Sequence, residues 1–342
     1  MGSVSIVRVA VSGGISDIEV STMGNEHKNP SSLPVATERP RLRRKITSIV
    51  RKSPPGSDQP DFFVPALYDV GTRDSRSIMD VAVFRLSKKD KRVGDAIRYD
   101  FPDGGYVEVT SGHYGMASVW DYDLVLMAIS HLTEAMNRYR NGKGEIPSPV
   151  FRPHISEILK FCRRSIGGRQ YKEIESALDR LADTKIKVVR KENGVGRREK
   201  RIAGTPQGLI ASGRVVSYTD TGRIQSVEIT IPDWLYQEIV ESKTPNVLTV
   251  HPDYFLIEPG IGRFLYRLAR RAAGRTEAKW SFQTIYDRSG SAGTFKKFSE
   301  NLRKIIVADD LPEYTLLEEK GQNGPQLVMQ HRCMQLEAPP GP

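Results

Sequence analysis

The stretch "GGRQYKEIESALDRLADTKIKVVRKENGVGRREKR", Gly167–Arg201, combines helical apolar spacing, a β pattern and a dense basic turn. Tyr171, Ile174, Leu178 and Leu181 recur at intervals of three or four residues, which places them on one face of a helix. "KIKVVR" then alternates as a strand does, "ENG" is typical of a hairpin turn, and "GRREKR" falls at the tip or return of that hairpin. The stretch therefore predicts an amphipathic helix followed by a charged β-hairpin.

The other side chains of this helix are predicted to point outward, because the apolar stripe must face a core. Taken alone, such a polar face is explained equally well by solvation of a surface helix in an ordinary α/β domain. The outward set consists of Arg169, Gln170, Lys172, Glu173, Ser176 and Arg180.

The segments around this stretch supply the rest of a pattern. "DVAVFRL" and the pair "IRYDF" and "YVEVT" are predicted strands, and "VWDYDLVLMAISHLTEAMNRYRNGKG" is a long helix that Asp121 or Asp123 can cap. "FRPHISEILKFCRRS" is a short helix, "IGG" is a turn, and "GRVVSY" with "IQSVEITI" forms another hairpin. The order helix, helix, turn, helix, strand, basic loop, strand predicts a winged helix-turn-helix.

Residues 251–320 repeat this plan. "HPDYFLIEPGIGRFLYRLARRAAG" predicts a loop and then a long helix whose arginines crowd its non-apolar faces. "AKWSFQTIYDRSGS" predicts a short helix and a turn. In "TFKKFSENLRKII", Phe295, Phe298, Leu302 and Ile305 repeat the intervals found in the first copy. "YTLLEE" and "QLVMQHR" are predicted strands. The outward set of this helix is Thr294, Lys296, Lys297, Ser299, Asn301 and Arg303.

The fold class predicted from these patterns is α+β, with two tandem winged-helix domains (helix-turn-helix plus β-hairpin wing) behind a flexible N-terminal arm. The predicted bounds are 1–60 for the arm, 61–250 for the first domain and 251–335 for the second. The arm contains Pro- and Ser-rich segments and seven basic residues within Arg39–Lys52. Such an arm either follows phosphates or serves as a disordered solubilising tail.

The positive charge is concentrated in two blocks. The chain carries a net charge of +10. Residues 152–205 contain 15 Lys/Arg against 7 Asp/Glu, and residues 261–305 contain 11 against 3, so each block has a balance of +8. Because each block contains one of the two amphipathic helices, two surfaces facing a polyanion are predicted.

Motifs for other chemistry are missing from the sequence. It has no G-x-x-x-x-G-K-[ST] phosphate loop and no His-hydrophobic-His pair of the kind that holds the metal of a DNA-nicking enzyme. Its two cysteines, Cys162 and Cys333, are far apart and are expected to be reduced thiols. No apolar run approaches the roughly 20 residues of a membrane helix. We expect a cytoplasmic protein that is not an enzyme and uses no cofactor or metal.

Double-stranded DNA is therefore the predicted partner, and the start of each third helix is the predicted point of entry into a major groove. Arg169 is suited to guanine and Gln170 to adenine, whereas Lys296 and Lys297 are expected to meet phosphates. The basic hairpin is expected to grip the backbone. The full set of candidate DNA-binding residues is Arg169, Gln170, Lys172, Ser176, Arg180, Arg197, Arg198, Lys200, Arg201, Thr294, Lys296, Lys297, Ser299 and Arg303.

Three long segments resemble the plasmid replication initiator protein A family of proteobacteria. They are "FPDGGYVEVTSGHYGMASVWDYDLVLMAISHL", "HPDYFLIEPGIGRFLYRLARRAAG" and "SAGTFKKFSENLRKI", and the likeness extends over about residues 60–320. The resemblance implies an initiator that binds direct repeats at a plasmid origin, opens nearby AT-rich DNA and helps to load the host helicase. Host replication proteins such as the helicase or DnaA are thus implied partners. Many related initiators repress their own gene as homodimers and initiate as monomers.

Two other functions fit the same residues. A winged-helix transcriptional regulator without a replication role would show the same helix faces and charges, and only the resemblance favours the initiator. An enzyme of DNA processing is the second alternative, although no catalytic set is evident in the sequence.

Overall fold

The computed structural model describes residues 48–54, 70–101, 104–165, 167–192 and 200–336. The amphipathic segments identified in the sequence form helices close to their predicted bounds. The helices are α1 (Asp123–Arg140), α2 (Ile155–Phe161), α3 (Gly168–Asp183), α4 (Asp233–Tyr236), α5 (Gly260–Ala272), α6 (Phe282–Ser289), α7 (Phe295–Ala308) and α8 (Cys333–Leu336).

The strands are short, and most pair in antiparallel hairpins. In chain order they are β1 (Arg73–Ser75), β2 (Ala96–Asp100), β3 (Tyr106–Thr110), β4 (Val150–Phe151), β5 (Lys185–Glu192), β6 (Lys200–Ala203), β7 (Gln207–Gly208), β8 (Ser212–Tyr218), β9 (Ile224–Thr230), β10 (Val247–Thr249), β11 (Glu277–Ser281), β12 (Tyr314–Gly321) and β13 (Gly324–His331). The mixed helix and sheet composition predicted from the sequence is confirmed.

Two sheets in the molecule have the same strand order. One runs β4, β9, β8 and the other runs β11, β13, β12. In each sheet, the first strand precedes a pair of helices, α2 with α3 or α6 with α7. The hairpin that follows the pair returns its second strand to the first strand. The repeat that the sequence indicates is thus present in the topology, and it includes a short strand before each helix pair.

The hairpin β5–β6 belongs to a different sheet. That sheet runs β2, β3, β5, β6, with β7 also paired to β5. It inserts between α3 and β8 in the chain, so the basic hairpin predicted after α3 is not the counterpart of β12–β13. The counterpart is β8–β9, which the sequence shows only as another hairpin.

Apolar stripes of both helix pairs meet in a continuous core. Ile174 and Leu178 of α3 are 1% and 2% exposed, and Phe298 and Leu302 of α7 are 3% and 0% exposed. The buried residues of both repeats belong to one hydrophobic cluster. The boundary predicted between residues 250 and 251 therefore stays a prediction.

Residues 80–86 correct one sequence prediction. "DVAVFRL" was expected to be a strand, but it forms only an isolated parallel bridge between Arg85 and Ser118. Val81, Val83 and Phe84 are all buried, and so is Ala82 between them. Because both faces of the segment are covered, its alternation does not reflect a half-exposed strand.

The arginines of α5 correct another prediction. Arg263 and Arg267, expected on the outer faces, are 3% and 0% exposed. Arg267 Nε donates to Asp74 at 2.6 Å, and the Tyr122 hydroxyl donates to the same carboxylate at 2.8 Å. Part of the positive charge of the second basic block is therefore internal and is neutralised there.

Residues 48–54, which the sequence assigns to the flexible arm, make contacts with the rest of the molecule. Val50 bridges to Ile257, and the Ile49 backbone N–H donates to Asp310 at 2.8 Å. The apolar side chains of Ile49 and Val50 pack against the core, which is the physical reason for the contact. The remaining residues of the predicted arm that precede Ser48 lie outside the described residues.

Candidate nucleic-acid interface

The outer face of α3 carries polar side chains in the places that the spacing predicts. Arg169, Lys172 and Ser176 are exposed, and Gln170 is half-buried. Arg169 has a side chain 88% exposed, and its Nε lies 2.9 Å from Glu173 one helical turn later. An exposed pair of this kind contributes little to stability, so Arg169 can exchange the carboxylate for another anion or a base at low cost.

Arg180, the last predicted contact on α3, is committed to an internal ion pair. Its guanidinium donates two hydrogen bonds of 2.8 Å to the two oxygens of Asp121. Burial by itself would raise the pKa of Asp121, but the hydrogen bonds and charge of Arg180 outweigh burial and lower the pKa below its ordinary value. Arg180 thus holds α3 against the start of α1, and a DNA contact by this side chain stays a prediction.

The two aspartates of "WDYD" do not cap α1. The helix begins after Tyr122, whose side chain makes no capping hydrogen bond. Asp121 accepts from the Ser118 backbone N–H at 2.7 Å as well as from Arg180, while Asp123 binds Arg164 at 2.8 Å and Arg263 at 2.6 Å. Their role is to organise arginines from three parts of the chain.

On α7, the outward side chains divide into capping and cationic groups. Thr294 caps the helix by accepting from the Lys297 backbone N–H at 3.3 Å. Lys296 and Lys297 are exposed in the first turn, and Lys297 Nζ lies 3.0 Å from Glu300. The start of α7 therefore presents two lysines, as the sequence predicts.

Two further predicted contacts on α7 differ from expectation. Ser299 is 5% exposed and points inward, because it lies beside Phe298 on the edge of the apolar stripe. Its expected outward position was wrong. Arg303 is exposed, but its guanidinium makes a bidentate pair with Glu318 of β12, with a closest contact of 2.8 Å. Arg303 thus ties α7 to its sheet.

The predicted wing residues are only partly described. Arg197 and Arg198 lie outside the described residues. Lys200 and Arg201 are on β6, where they pair in register with Glu192 and Lys191 of β5. The tip of the other hairpin, β8–β9, contains Gly222 at φ 72° and the exposed Arg223.

A cleft of about 880 Å³ opens at the start of α3. Burial, followed by the charges of Arg263 and Arg164, lowers the pKa of Arg51, which donates to the carbonyl oxygens of Arg163 and Phe255. Arg164 and Arg263 share the carboxylate of Asp123. With Arg180 included, seven basic side chains line the cleft against the carboxylates of Asp121, Glu173 and Glu258, so positive charge is in excess. Basic side chains that line the cleft include Arg51, Arg85, Lys88, Arg164, Arg169 and Arg263.

A smaller cleft, of about 390 Å³, opens at the turn between α6 and α7. Its lining includes Gly290–Gly293, Lys297 and Asn301 from α6–α7 and Ser87, Asp90 and Arg92 from the segment that follows Arg85. Arg85 lines both clefts. The two helix starts are therefore connected along one surface by the segment that follows Arg85.

This connecting segment was not predicted from the sequence. "SKKDKR", Ser87–Arg92, carries four cations and one carboxylate, but it lies outside both basic blocks and follows the segment predicted to be a strand. Its basic run was the available signal. Its position between the helices depends on pairings far apart in the chain, which the sequence does not display.

Among the described residues, no group of His, Cys, Asp and Glu is arranged to hold a metal ion. Nor does this part of the chain contain a helix with the length and apolarity to cross a bilayer.

The chain matches a family model, a related protein and two solved structures. A family model described as "Replication initiator protein A" matches residues 73–316. A protein of Wigglesworthia glossinidia brevipalpis, named "Putative replication protein", is 29% identical over 205 residues, covering 59% of this chain and 70% of that protein. Crystal structures of domains 2 and 3 of RctB align with TM-scores of 0.49 and 0.48 at 13% identity. They cover 75% and 74% of this chain and 98% and 96% of the solved chains.

Proposed function

The chain belongs to the replication initiator protein A family, and we propose that it starts plasmid replication by binding repeated sites in double-stranded DNA at the origin. Opening of adjacent DNA and loading of the host helicase follow from that binding. The observation that carries the proposal is the duplicated unit of strand, helix pair and hairpin, which places α3 and α7 in equivalent positions.

Each duplicated unit is proposed to be a winged helix. In β4–α2–α3–β8–β9 and in β11–α6–α7–β12–β13, the second helix of the pair presents a polar face while its stripe is buried. The width of a major groove admits such a helix. The wing of the first unit is then β8–β9, because this hairpin has the topology of β12–β13.

Base recognition is assigned to the start of α3. The side chain of Arg169 is 88% exposed and can donate two hydrogen bonds to guanine, while Gln170 beside it is suited to adenine. Lys296 and Lys297 at the start of α7 are proposed to meet phosphates, where a flexible ammonium needs no fixed geometry. The wing tips add backbone contacts.

Origin opening is proposed to draw on the free energy of binding and DNA bending. Bending is sequence-dependent and costs least at flexible steps, so an AT-rich flank is the favoured place for it. We propose that the protein acts as a DNA-binding initiator and not as an enzyme. The host helicase or DnaA, and a second copy of this chain for repression of its own gene, are the proposed protein partners.

A footprint of the purified full chain on the DNA that flanks its own gene tests this function. The proposal predicts protection of evenly spaced direct repeats beside an AT-rich segment, because repeated identical sites are what an initiator array requires. A winged-helix regulator predicts protection of one site over a promoter without repeats. Absence of any protected sequence would count against both functions.

The enzymatic alternative has its own test. The same duplex, supercoiled and incubated with the protein and Mg²⁺ or Mn²⁺, is expected to remain uncut. Strand cleavage at a defined position would contradict the binding-only proposal.

A further inference from the structure

The basic segment Ser87–Arg92, here called the bridging loop, is exposed from Ser87 to Lys91 and lies between the starts of α3 and α7. Lys88 lines the cleft at α3, where its Nζ lies 4.5 Å from the centre of the Trp120 ring. Ser87 and Arg92 line the cleft at α7. The loop therefore connects the two places at which the proposed function puts DNA.

Both ends of the bridging loop are fixed by arginines that face inward. Arg85, 7% exposed, donates from Nε to the Met116 carbonyl at 2.8 Å and from Nη1 to the Ser87 carbonyl. At the other end, Arg92 donates to the Gly290 carbonyl at 2.5 Å, in the turn that precedes α7. The loop is thus attached directly to one helix-turn-helix unit and borders the other.

The backbone around the bridging loop leaves little room for rearrangement. A Cβ atom on Gly260 would lie 2.2 Å from the Leu86 carbonyl oxygen, so α5 approaches the start of the loop closely. Arg92 has φ of 48°, a left-handed conformation that residues with a side chain rarely adopt. Such a conformation persists because the surrounding contacts determine it.

Three of the exposed side chains of the bridging loop are cationic, and one, Asp90, is anionic. Lys88, Lys89 and Lys91 are exposed, and the carboxylate of Asp90 lies 4.0 Å from Arg92. No described carboxylate lies within ion-pair distance of these three lysines. A rigid, exposed lysine cluster beside a helix that enters a groove faces the polyanionic backbone of the duplex.

We infer that the bridging loop is a third DNA-contacting element, which binds the sugar-phosphate backbone between the grooves entered by α3 and α7. This inference rests on the proposed function. The loop would fix the spacing between the two groove contacts without reading bases, since lysine ammonium groups on a phosphate carry no sequence information. Trp120 keeps Lys88 close to the α3 side.

Paired alanine variants test the inference by salt dependence. Lys88→Ala/Lys91→Ala removes two charges, and Lys143→Ala/Lys243→Ala removes the same charge from exposed lysines at the other end of α1. Asp123 begins α1 beside the cleft, and 18 residues at about 1.5 Å each place these control sites about 27 Å away. The probe is a duplex carrying the footprinted site, titrated between about 50 and 200 mM salt.

The expected result is a smaller dependence of log K on log salt for the loop variant. The slope should fall by about 0.9 for each lysine that meets a phosphate, while the ratio of specific to random-sequence binding stays unchanged. Hydroxyl-radical cleavage should show lost protection only between the two groove contacts. Lys88→Arg/Lys91→Arg should retain the wild-type slope.

Two outcomes would overturn the inference alone. One is a loop variant that matches the control variant while the wild-type chain still protects its site. The other is a reduced dependence of log K on log salt in Lys88→Arg/Lys91→Arg as well as in the alanine variant. That result would mean that the loop acts through its structure and not its charge. Failure of the wild-type chain to bind any duplex would instead remove the proposed function and this inference with it.

Discussion

At the scale of single residues, the arginines of this protein divide by their partners. Arg169 is exposed and makes only a solvent-exposed ion pair with Glu173, whereas Arg180 on the same helix is bound by both oxygens of Asp121. Helical spacing in the sequence places both side chains on the same polar face of α3. The carboxylate that binds Arg180 comes from Asp121, just before α1, so Arg180 supports the helix while DNA recognition is proposed for Arg169 alone.

Arg169→Ala is expected to weaken binding to the specific duplex by about 1–3 kcal/mol and to relax sequence preference at one base pair. The reason is the loss of bidentate hydrogen bonds to a base edge. Arg138→Ala is the matched control, because Arg138 is also exposed on a helix and paired with a glutamate four residues away, at 3.3 Å. Equal affinity losses for the two variants, measured on specific and random duplexes, would contradict base reading by Arg169.

Asp121→Asn is expected to lower the free energy of unfolding by about 2 kcal/mol at neutral pH, since it removes one charge from a largely buried pair. The folded-state pKa of Asp121 lies below its unfolded value. Its stabilising contribution is therefore present above the unfolded pKa, about 3.9, and is lost as the pH falls through the lower folded value. Urea unfolding should show a constant difference from wild type above about pH 5 that shrinks below about pH 4. A difference independent of pH down to full acid unfolding would refute the ionic role.

At the scale of elements, α5 shows how a helix can contain arginine on its buried side. Arg267 is fully buried against Asp74, while Arg271, one turn later, is 30% exposed and lies 3.3 Å from Asp80. Helical spacing identifies the apolar stripe but not the carboxylates that permit an arginine beside it. Both carboxylates come from the segment before β2.

Arg267→Ala is expected to destabilise the fold by about 3–5 kcal/mol, because it leaves the Asp74 carboxylate buried without its cation. Arg271→Ala should cost under about 1 kcal/mol, as for other partly exposed pairs. Chemical denaturation of the two variants measures the difference. Similar losses for both would mean that burial of the Arg267–Asp74 pair is not what stabilises α5.

The hairpin β8–β9 provides a second test at this scale. If it is the wing of the first unit, Arg223→Ala at its tip should reduce the salt slope of DNA binding by about 0.9 and weaken all sequences alike. Lys143→Ala, at the far end of α1, should leave the slope unchanged. An unchanged slope for Arg223→Ala would instead favour the hairpin β5–β6 as the wing of the first unit.

At the scale of the whole molecule, sequence spacing predicts the repeated elements well. The four apolar positions of α3 and of α7, and the hairpins β2–β3 and β12–β13, follow from local periodicity and turn residues. Local pattern does not predict pairing between distant segments. It therefore misplaces "DVAVFRL", the buried Arg263 and the counterpart of the second hairpin, and it overlooks the bridging loop.

Some features of the candidate site could be predicted from local sequence, and others depend on packing between distant segments. Exposure of Arg169, Lys172, Lys296 and Lys297 was predictable from helix faces. Burial of Ser299 was not, because the width of an apolar stripe depends on what packs against it. The two basic clefts arise only when segments from both repeats meet at Arg85.

The main proposal is that α3 and α7 enter two successive major-groove faces of one duplex, with base reading by α3 and phosphate contacts by the lysines of α7. Methylation protection of guanine N7 on the footprinted site tests it most directly, because this atom is exposed only in the major groove. We expect two protected clusters separated by about 10 base pairs or a multiple of that distance. Arg169→Ala should remove protection from one cluster, and Lys296→Ala/Lys297→Ala should weaken the other. A single cluster, or two clusters that disappear together in either variant, would contradict the claim.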